Sequence, residues 1–183
     1  MNAGLRHPLR VLQSRRMTLV AATPELVAAD LAGREQLGEA LDAEVSAEWP
    51  PEYYGSTTMR AAEAQLRDPS EHGWSIWYLL SNRHETPRLL GISDFKGKPD
   101  RAGRVEVSYS ILQHYRVQGY ATEAVDRLVN WAFSHQNVVE VSAETMPHMR
   151  QSIRVLEKNG FTLLGRGSEH GVVRYVVRKT SHT

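Results

Sequence analysis

Apolar and polar positions recur with two distinct periods along the chain, and those periods mark out its elements. Met17–Ala22 is a short apolar run that reads as a first strand. Thr23-Pro24-Glu25 then places a helix cap ahead of proline at the first helical position. Helical patterning continues, with interruptions, to about Glu48. Trp49-Pro50-Pro51-Glu52-Tyr53-Tyr54-Gly55 ends it, because two prolines cannot continue a helix. Thr58–Arg67 predicts another short helix. Trp74–Leu80 and Leu89–Phe95 are strand-like runs joined by a polar segment with Asn82 and Pro87, a hairpin signal. In Arg104–Leu112, Val105, Val107, Tyr109 and Ile111 alternate with Arg104, Glu106, Ser108 and Ser110, the period of two expected where the two faces differ.

The strongest helix follows. Ala121, Ala124, Val125, Leu128 and Ala132 form one apolar stripe at helical spacing. Val139, Val141 and Ala143 predict a strand. Helical period returns at Met149, Ile153 and Leu156, and Asn159-Gly160 supplies a left-handed stop. Phe161–Gly165 and Val172–Val177 read as two last strands about a turn-rich Gly165–Gly171. The order is β, α, α, three β, then α-β-α-β-β. It predicts an α/β protein of the α+β type with a largely antiparallel sheet.

Composition narrows the class. With 183 residues the chain is long enough for one domain with a full core, so neither disulfides nor a structural metal is needed for stability. Cysteine is absent, which removes thiolate metal sites, Fe–S clusters and a cysteine nucleophile together. Lys and Arg number 22 against 21 Asp and Glu, without the basic excess of a nucleic-acid binder. The longest unbroken apolar run, Ile76–Leu80, is far short of the ~20 residues of a membrane span. Met1–Arg10 has no apolar stretch of a signal peptide. The expectation is a cytoplasmic domain with no membrane and no nucleic-acid partner. Its eight histidines are scattered without metal-ligand spacing, so no metal is expected. Gly165-Arg166-Gly167 leads into no helix and reads as a hairpin turn.

The chemistry concentrates in Arg116-Val117-Gln118-Gly119-Tyr120-Ala121, between the alternating strand and the strong helix. Gly119 permits a backbone geometry and a close approach that a Cβ would obstruct. The free N–H groups of the helix start form an anion site, and Arg116 adds a cation. Strand, glycine turn and helix N-terminus together suit a pyrophosphate. The plainer reading of Gly119 is an ordinary turn. The Walker ending and the three-glycine dinucleotide fingerprint are both missing.

This segment resembles Arg/Gln-x-x-Gly-x-Gly/Ala, the acetyl-CoA signature of the GNAT superfamily of N-acetyltransferases. Arg104–Ile111 is similar to the family's fourth strand, and Ser152-Ile153-Arg154-Val155-Leu156-Glu157-Lys158-Asn159-Gly160-Phe161 to the late helix and turn of its RimJ/RimL-like branch. Trp49-Pro50-Pro51 also resembles that branch. The likeness runs over about residues 15 to 178. It implies a flexible extension at 1–14, one domain at 15–178 and a tail at 179–183. It also implies the GNAT fold, a mixed, mostly antiparallel sheet of about seven strands flanked by helices, with splayed central strands that bind CoA.

The activity so implied is direct acetyl transfer from acetyl-CoA, a co-substrate, to a primary amine, either a protein N-terminal α-amine or a small-molecule amine. Backbone groups of Ile111, Leu112 and Gln113 would hold the pantetheine arm, and Arg116, Val117, Gln118, Gly119, Tyr120, Ala121 and Thr122 would wrap the pyrophosphate. Glu106 is the candidate general base, against the alternative of a solvated strand carboxylate. Ser152 is the candidate CoA contact and proton donor, against a simple helix cap. Leu156 stands where many members carry a tyrosine that protonates the thiolate, and Met149 where the branch often has Asn. Trp49, Tyr53 and Trp77 are candidate walls of the acceptor cleft, against the commoner use of such rings as core. Rival readings are a non-catalytic CoA-binding or regulatory module and an unrelated nucleotide-binding α/β domain. Nothing in the pattern separates a monomer from a homodimer.

Overall fold

The computed structural model describes residues 9–180. Its elements in chain order are strands β1 (Val11–Gln13) and β2 (Met17–Ala21), and helices α1 (Pro24–Ala32), α2 (Arg34–Leu41) and α3 (Ser56–Gln65). Strands β3 (Ile76–Ser81), β4 (Arg88–Phe95) and β5 (Arg104–Ile111) follow, then helix α4 (Tyr120–Phe133) and strand β6 (Glu140–Thr145). Helix α5 (Arg150–Lys158) and strands β7 (Thr162–Arg166) and β8 (Val173–Arg178) complete the chain. The sheet order is β1-β2-β3-β4-β5-β6-β8-β7. Every neighbouring pair is antiparallel except β5–β6.

The mixed, mostly antiparallel sheet with flanking helices is the expected architecture, with eight strands rather than about seven. The extra strand is β1, inside the stretch expected to be a flexible extension. Val11–Gln13 pairs with Thr18–Val20. A three-residue edge strand is too short to show a period of two. Residues 1–8 of that extension, and 181–183 of the tail, lie outside the described residues. Helix ends earlier than expected in the first half, at Leu41, where Asp42 turns left-handed at φ 51°.

Each face of the sheet buries its own core, because strand side chains alternate between faces. One core packs Met17, Leu19, Leu79, Val105, Val107 and Ile111 against the apolar stripe of α4 and Leu156 of α5. The other packs Val20, Tyr78, Leu80 and Ile92 against α1 and α3 through Leu26, Met59 and Ala62. Trp77 points into the first core. It is fully buried, its ring 5.3 Å from Trp131, with Nε1 donating to the Gly73 carbonyl at 2.8 Å. Trp49 is buried in the second core, where its Nε1 donates to Asp30 at 2.8 Å. Both rings were expected to wall a cleft. The alternation of β3 turns Trp77 toward α4, and the Asp30 bond holds Trp49 beneath α1.

The sheet also forks. β5 pairs with β6 only at Arg104–Glu106, opposite Glu140–Ser142. From Val107 onward β5 stays paired on its β4 side, while β6 stays paired with β8 to Thr145. Lys96 N donates to the Glu106 carbonyl and Leu112 N to the Leu90 carbonyl. Antiparallel ladders bond alternate residues. Glu106, Ser108, Ser110 and Leu112 therefore direct their backbone groups to β4, and Tyr109 and Ile111 direct theirs into the fork. Gly91 lets β4 close against β5 here, because a Cβ would overlap the Ser110 carbonyl and come within 2.9 Å of Ile111 Cα.

If Trp77 is core, Trp77→Ala should cost about 3–5 kcal/mol of stability. Urea unfolding checks this, and a change under 1 kcal/mol would return the ring to the surface.

Candidate active site

Beside the fork lies a cleft of about 290 Å³ between the end of β5, the segment leading into α4, and α5. α4 starts at Gly119, in the left-handed conformation at φ 84°, and no side chain caps its first turn. The orphan N–H groups of that turn thus remain open to an anion, reinforced by the helix dipole. A Cβ at Gly119 would lie 3.1 Å from Arg16 Nη2 as well as forcing a side chain into that φ.

The turn is braced from behind. Glu123, in the first turn of α4, accepts from Ser14 Oγ, Arg16 N and Arg16 Nε, each at 2.7 Å. Burial pushes its carboxyl up, and these hydrogen bonds outweigh that and hold it below the usual range. Arg16 also donates to the Gln118 carbonyl at 2.9 Å and lies 4.6 Å over the Tyr120 ring. Arg116 donates from Nε to the Ile111 carbonyl at 2.8 Å, and its Nη2 lies 3.2 Å from Glu52.

Ile111, Arg116, Val117, Gly119, Tyr120, Ala121, Thr122 and Ser152 line this cleft, as does Tyr53. Leu112, Gln113 and Gln118 do not. The Leu112 amide is bonded to Leu90, and its side chain sits in the core of the other face. Gln113 opens a single 3₁₀ turn, Gln113–Tyr115, and is exposed. Gln118 turns back to donate to the His114 carbonyl at 3.0 Å. Arg154 and Lys158, one helical turn apart on α5, add two cations that the sequence shows only as a polar helix face. Tyr109 was also missed, being on the apolar half of its strand. Its hydroxyl lies 3.1 Å from Ser152 Oγ and donates to the Ser152 carbonyl at 3.1 Å. Burial pushes the Tyr109 phenol up to about 12. Leu156 is buried in the core, so the hydroxyl groups that α5 and β5 bring to this cleft are those of Ser152, Tyr109 and Ser110, of which Ser152 and Tyr109 are hydrogen-bonded to each other.

Glu106 occupies the other face of β5, at the last paired position before the fork, its side chain about a quarter exposed at 27%. Burial raises its proton affinity, Glu144 and Asp94 raise it further, and Arg174 and Lys96 oppose them. On the same face Tyr54 donates to Asp94 at 2.5 Å, and Ser108 donates to the same oxygen. The two candidate catalytic residues thus stand on opposite sides of one strand, with the fork between them. A larger open depression of about 690 Å³ lies near Arg104, Glu140 and Arg178, whose charges already form the surface pairs Arg104–Asp100 and Arg178–Glu140.

The fold is an α/β one in which a forked sheet stands beside a glycine turn and a helix start that no side chain caps. Residues 16–162 match the family described as acetyltransferase (GNAT) domain, and the chain belongs to that family. It is an N-acetyltransferase, and similar in sequence to others. The uncharacterized N-acetyltransferase YjdG of Bacillus subtilis (strain 168) is 26% identical over 168 residues, which cover 92% of this chain and 99% of that one. Among solved structures, the fold is similar to the ribosomal-protein-S5-alanine acetyltransferase of Vibrio fischeri, with TM-score 0.67 and 17% identity over 95% of this chain and 99% of that one. It is equally similar to RimL, the ribosomal L7/L12 alpha-N-protein acetyltransferase, in complex with coenzyme A (TM-score 0.67, 17% identity, 92% and 98% covered). The fold is the one that these acetyltransferases have.

Gly119→Val should weaken acetyl-CoA binding at least about tenfold, since it strains the turn that opens α4 and presses on Arg16. Val117 is itself left-handed at φ 59° and 84% exposed, so Val117→Gly should relieve that strain and raise Tm without the large loss of affinity expected of Gly119→Val. Calorimetric titration and thermal melts of the two variants measure both effects.

Proposed function

We propose that the protein transfers acetyl directly from acetyl-CoA to a primary amine, a protein N-terminal α-amine or a small-molecule amine, with both reactants bound together. The observation that carries this reading is the fork, where strand backbone without a partner adjoins the Gly119 turn and the open first turn of α4. The residues fit the group: an extended arm has the Tyr109 backbone and the Ile111 N–H, both directed into the fork, to meet, and its phosphates have Arg116, Arg154 and Lys158. When bound, acetyl-CoA supplies a thioester whose carbonyl carbon bonds the amine nitrogen as the C–S bond breaks.

Glu106 takes the proton from the acceptor ammonium, which frees the nitrogen lone pair. The Ile111 N–H, directed into the fork, donates to the carbonyl oxygen as charge develops there. As the C–S bond breaks, the nitrogen sheds its second proton, which passes through Ser152, hydrogen-bonded to Tyr109, to the departing sulfur, so that Ser152 ends protonated as it began. The load on Glu106 depends on the acceptor. A lysine amine near pKa 10.4 is almost wholly protonated at neutral pH, whereas an α-amine near 7.7–8.0 is already about 10% neutral. A CoA-binding module without turnover is the second reading, favoured by the buried Leu156 and by Met149 at the mouth of α5.

Thermal shift with acetyl-CoA, CoA, ATP and NAD in parallel tests the donor. Ligand at 100 times its Kd adds about 2.7 kcal/mol, a rise of a few degrees. A rise with acetyl-CoA and CoA alone is expected, and no rise with either refutes the reading. Glu106→Gln then separates enzyme from binding module. Binding should persist, while the rate of amine acetylation below pH ~8 should fall by about 100-fold or more.

A further inference from the structure

Glu106 sits among four charged side chains, and their arrangement is uneven. Asp94 comes from β4, Lys96 follows β4, Glu144 belongs to β6 and Arg174 to β8. Glu106 and Ser142 are the last parallel pair before the fork, and Glu144 stands two residues further along β6 on the same face. Arg174 is its direct cross-strand partner. Arg174 therefore has two carboxylates within reach, and it is given to one of them. Its Nε and Nη2 both donate to Glu144 Oε1, at 2.9 and 2.6 Å, while Nη2 stops 3.8 Å from Glu106 Oε2.

Glu144 is fixed in turn by Ser168, whose N and Oγ donate to its two oxygens at 2.8 and 2.6 Å. Burial works against the charge on Glu144, yet Ser168 and Arg174 together hold its carboxyl below the usual range. The other nearby cation, Lys96, is more than half exposed and lies 3.9 Å from Asp94. Among the described residues no hydrogen bond to the Glu106 carboxylate forms. A carboxylate bound bidentately by arginine would be a poor proton acceptor, because the guanidinium stabilises its charged form.

We propose that Glu144 is a positioning residue for the acceptor side of the reaction: by gripping Arg174 it withholds that cation from Glu106 and leaves the Glu106 carboxylate free to take a proton from the incoming ammonium. This rests on Glu106 serving as the base. The proton passes from nitrogen to a Glu106 oxygen, the N–H electron pair stays on nitrogen, and Glu144 and Arg174 keep their own protonation throughout. A purely structural Glu144 would only anchor the β7–β8 turn through Ser168.

The two roles separate in a carboxyl NMR titration of the full chain without acceptor, with the Glu106 signal assigned by its loss in Glu106→Gln. Glu144→Gln releases Arg174 toward Glu106 and removes a repelling charge, so the Glu106 midpoint should fall by about one pH unit or more. Arg174→Gln should move it up. Ser168→Ala removes the bond to Glu144 Oε2 but leaves Arg174 and Ser168 N on Oε1, so it should move the midpoint much less than Glu144→Gln, and CoA binding reports that each variant is folded. A midpoint unmoved in Glu144→Gln, or moved the same way by Glu144→Gln and Arg174→Gln, overturns the proposal. Acetylation of a peptide or amine acceptor then gives the second readout, the acid limb of kcat/KM, which should follow the NMR midpoint. If the midpoints shift as expected and the rate follows neither them nor Glu106→Gln, the failure lies in Glu106 as base, and the role of Glu144 in the reaction falls with it.

Discussion

The structure depends on one local departure from regularity, the parting of β5 from β6 after Glu106 and Ser142. A central strand that loses its neighbour leaves peptide groups without ladder partners, and such groups are costly wherever water is also excluded. The fold tolerates the gap because everything around it is tied down. β4 closes tightly on the far side of β5, with Gly91 where a Cβ would collide. Arg116 takes the Ile111 carbonyl at the open end. Asn159, at the end of α5, donates to the Thr122 carbonyl at 3.2 Å and so holds α5 beside the start of α4. What is left open is a slot with polar walls of backbone, suited to a partner that is itself extended and amide-bearing.

The same logic explains a contact network that has no catalytic residue in it. Glu123 looks outward from a helix start, a position where its charge favours the helix dipole. It uses both oxygens on the β1–β2 turn, through Ser14 and Arg16. Arg16 then reaches the Gln118 carbonyl and the Tyr120 ring, so the segment proposed to wrap the phosphates is held by the first hairpin of the sheet. A loop expected to bind a polyanion through backbone N–H groups cannot afford to wander, because each donor contributes only when aimed. The left-handed Val117 fits this picture, a strained residue retained where the surrounding bonds fix the turn.

Much of this was legible in the residues, and the division follows range along the chain. The alternation of Arg104–Leu112, the stripe of α4 and the Gly119 turn are local patterns, and each became the element expected. The fork itself is not local. Nothing in β5 or β6 alone says where their pairing stops, although a strand followed by the Arg116–Ala121 motif placed it nearby. The family resemblance gives Leu112 and Gln113 to the arm, whereas the parity of the ladder turns Leu112 toward β4. The resemblance makes Trp77 a candidate cleft wall against the commoner use of such rings as core, and a ring on a strand shows no face until its neighbours are known. The brace at Arg16 and Glu123 joins positions 107 residues apart, and the grip of Glu144 on Arg174 joins positions 30 apart. Pairings of that kind leave no periodic trace, so only the folded chain displays them.

The charges on the two faces of β5 bear on why a fork serves this chemistry. Toward α4 and α5 lie Arg116, Arg154, Lys158 and the open helix end, an environment for phosphates. Toward the α1–α3 face lie Asp94, Glu106 and Glu144, with Arg174 engaged and Lys96 partly in solvent. An intact sheet would separate these two environments by a hydrogen-bonded layer, and a group held on one side could not meet a group held on the other. Where the ladder is missing, β5 and β6 exchange no ladder hydrogen bonds, and the two environments are not separated by a bonded layer. A donor with a phosphate tail and a cationic acceptor can then approach from opposite faces, each attracted by its own side and repelled by the other. Opposed fields of this sort orient both reactants before contact, so the break in the sheet and the division of charge across it are two parts of one arrangement.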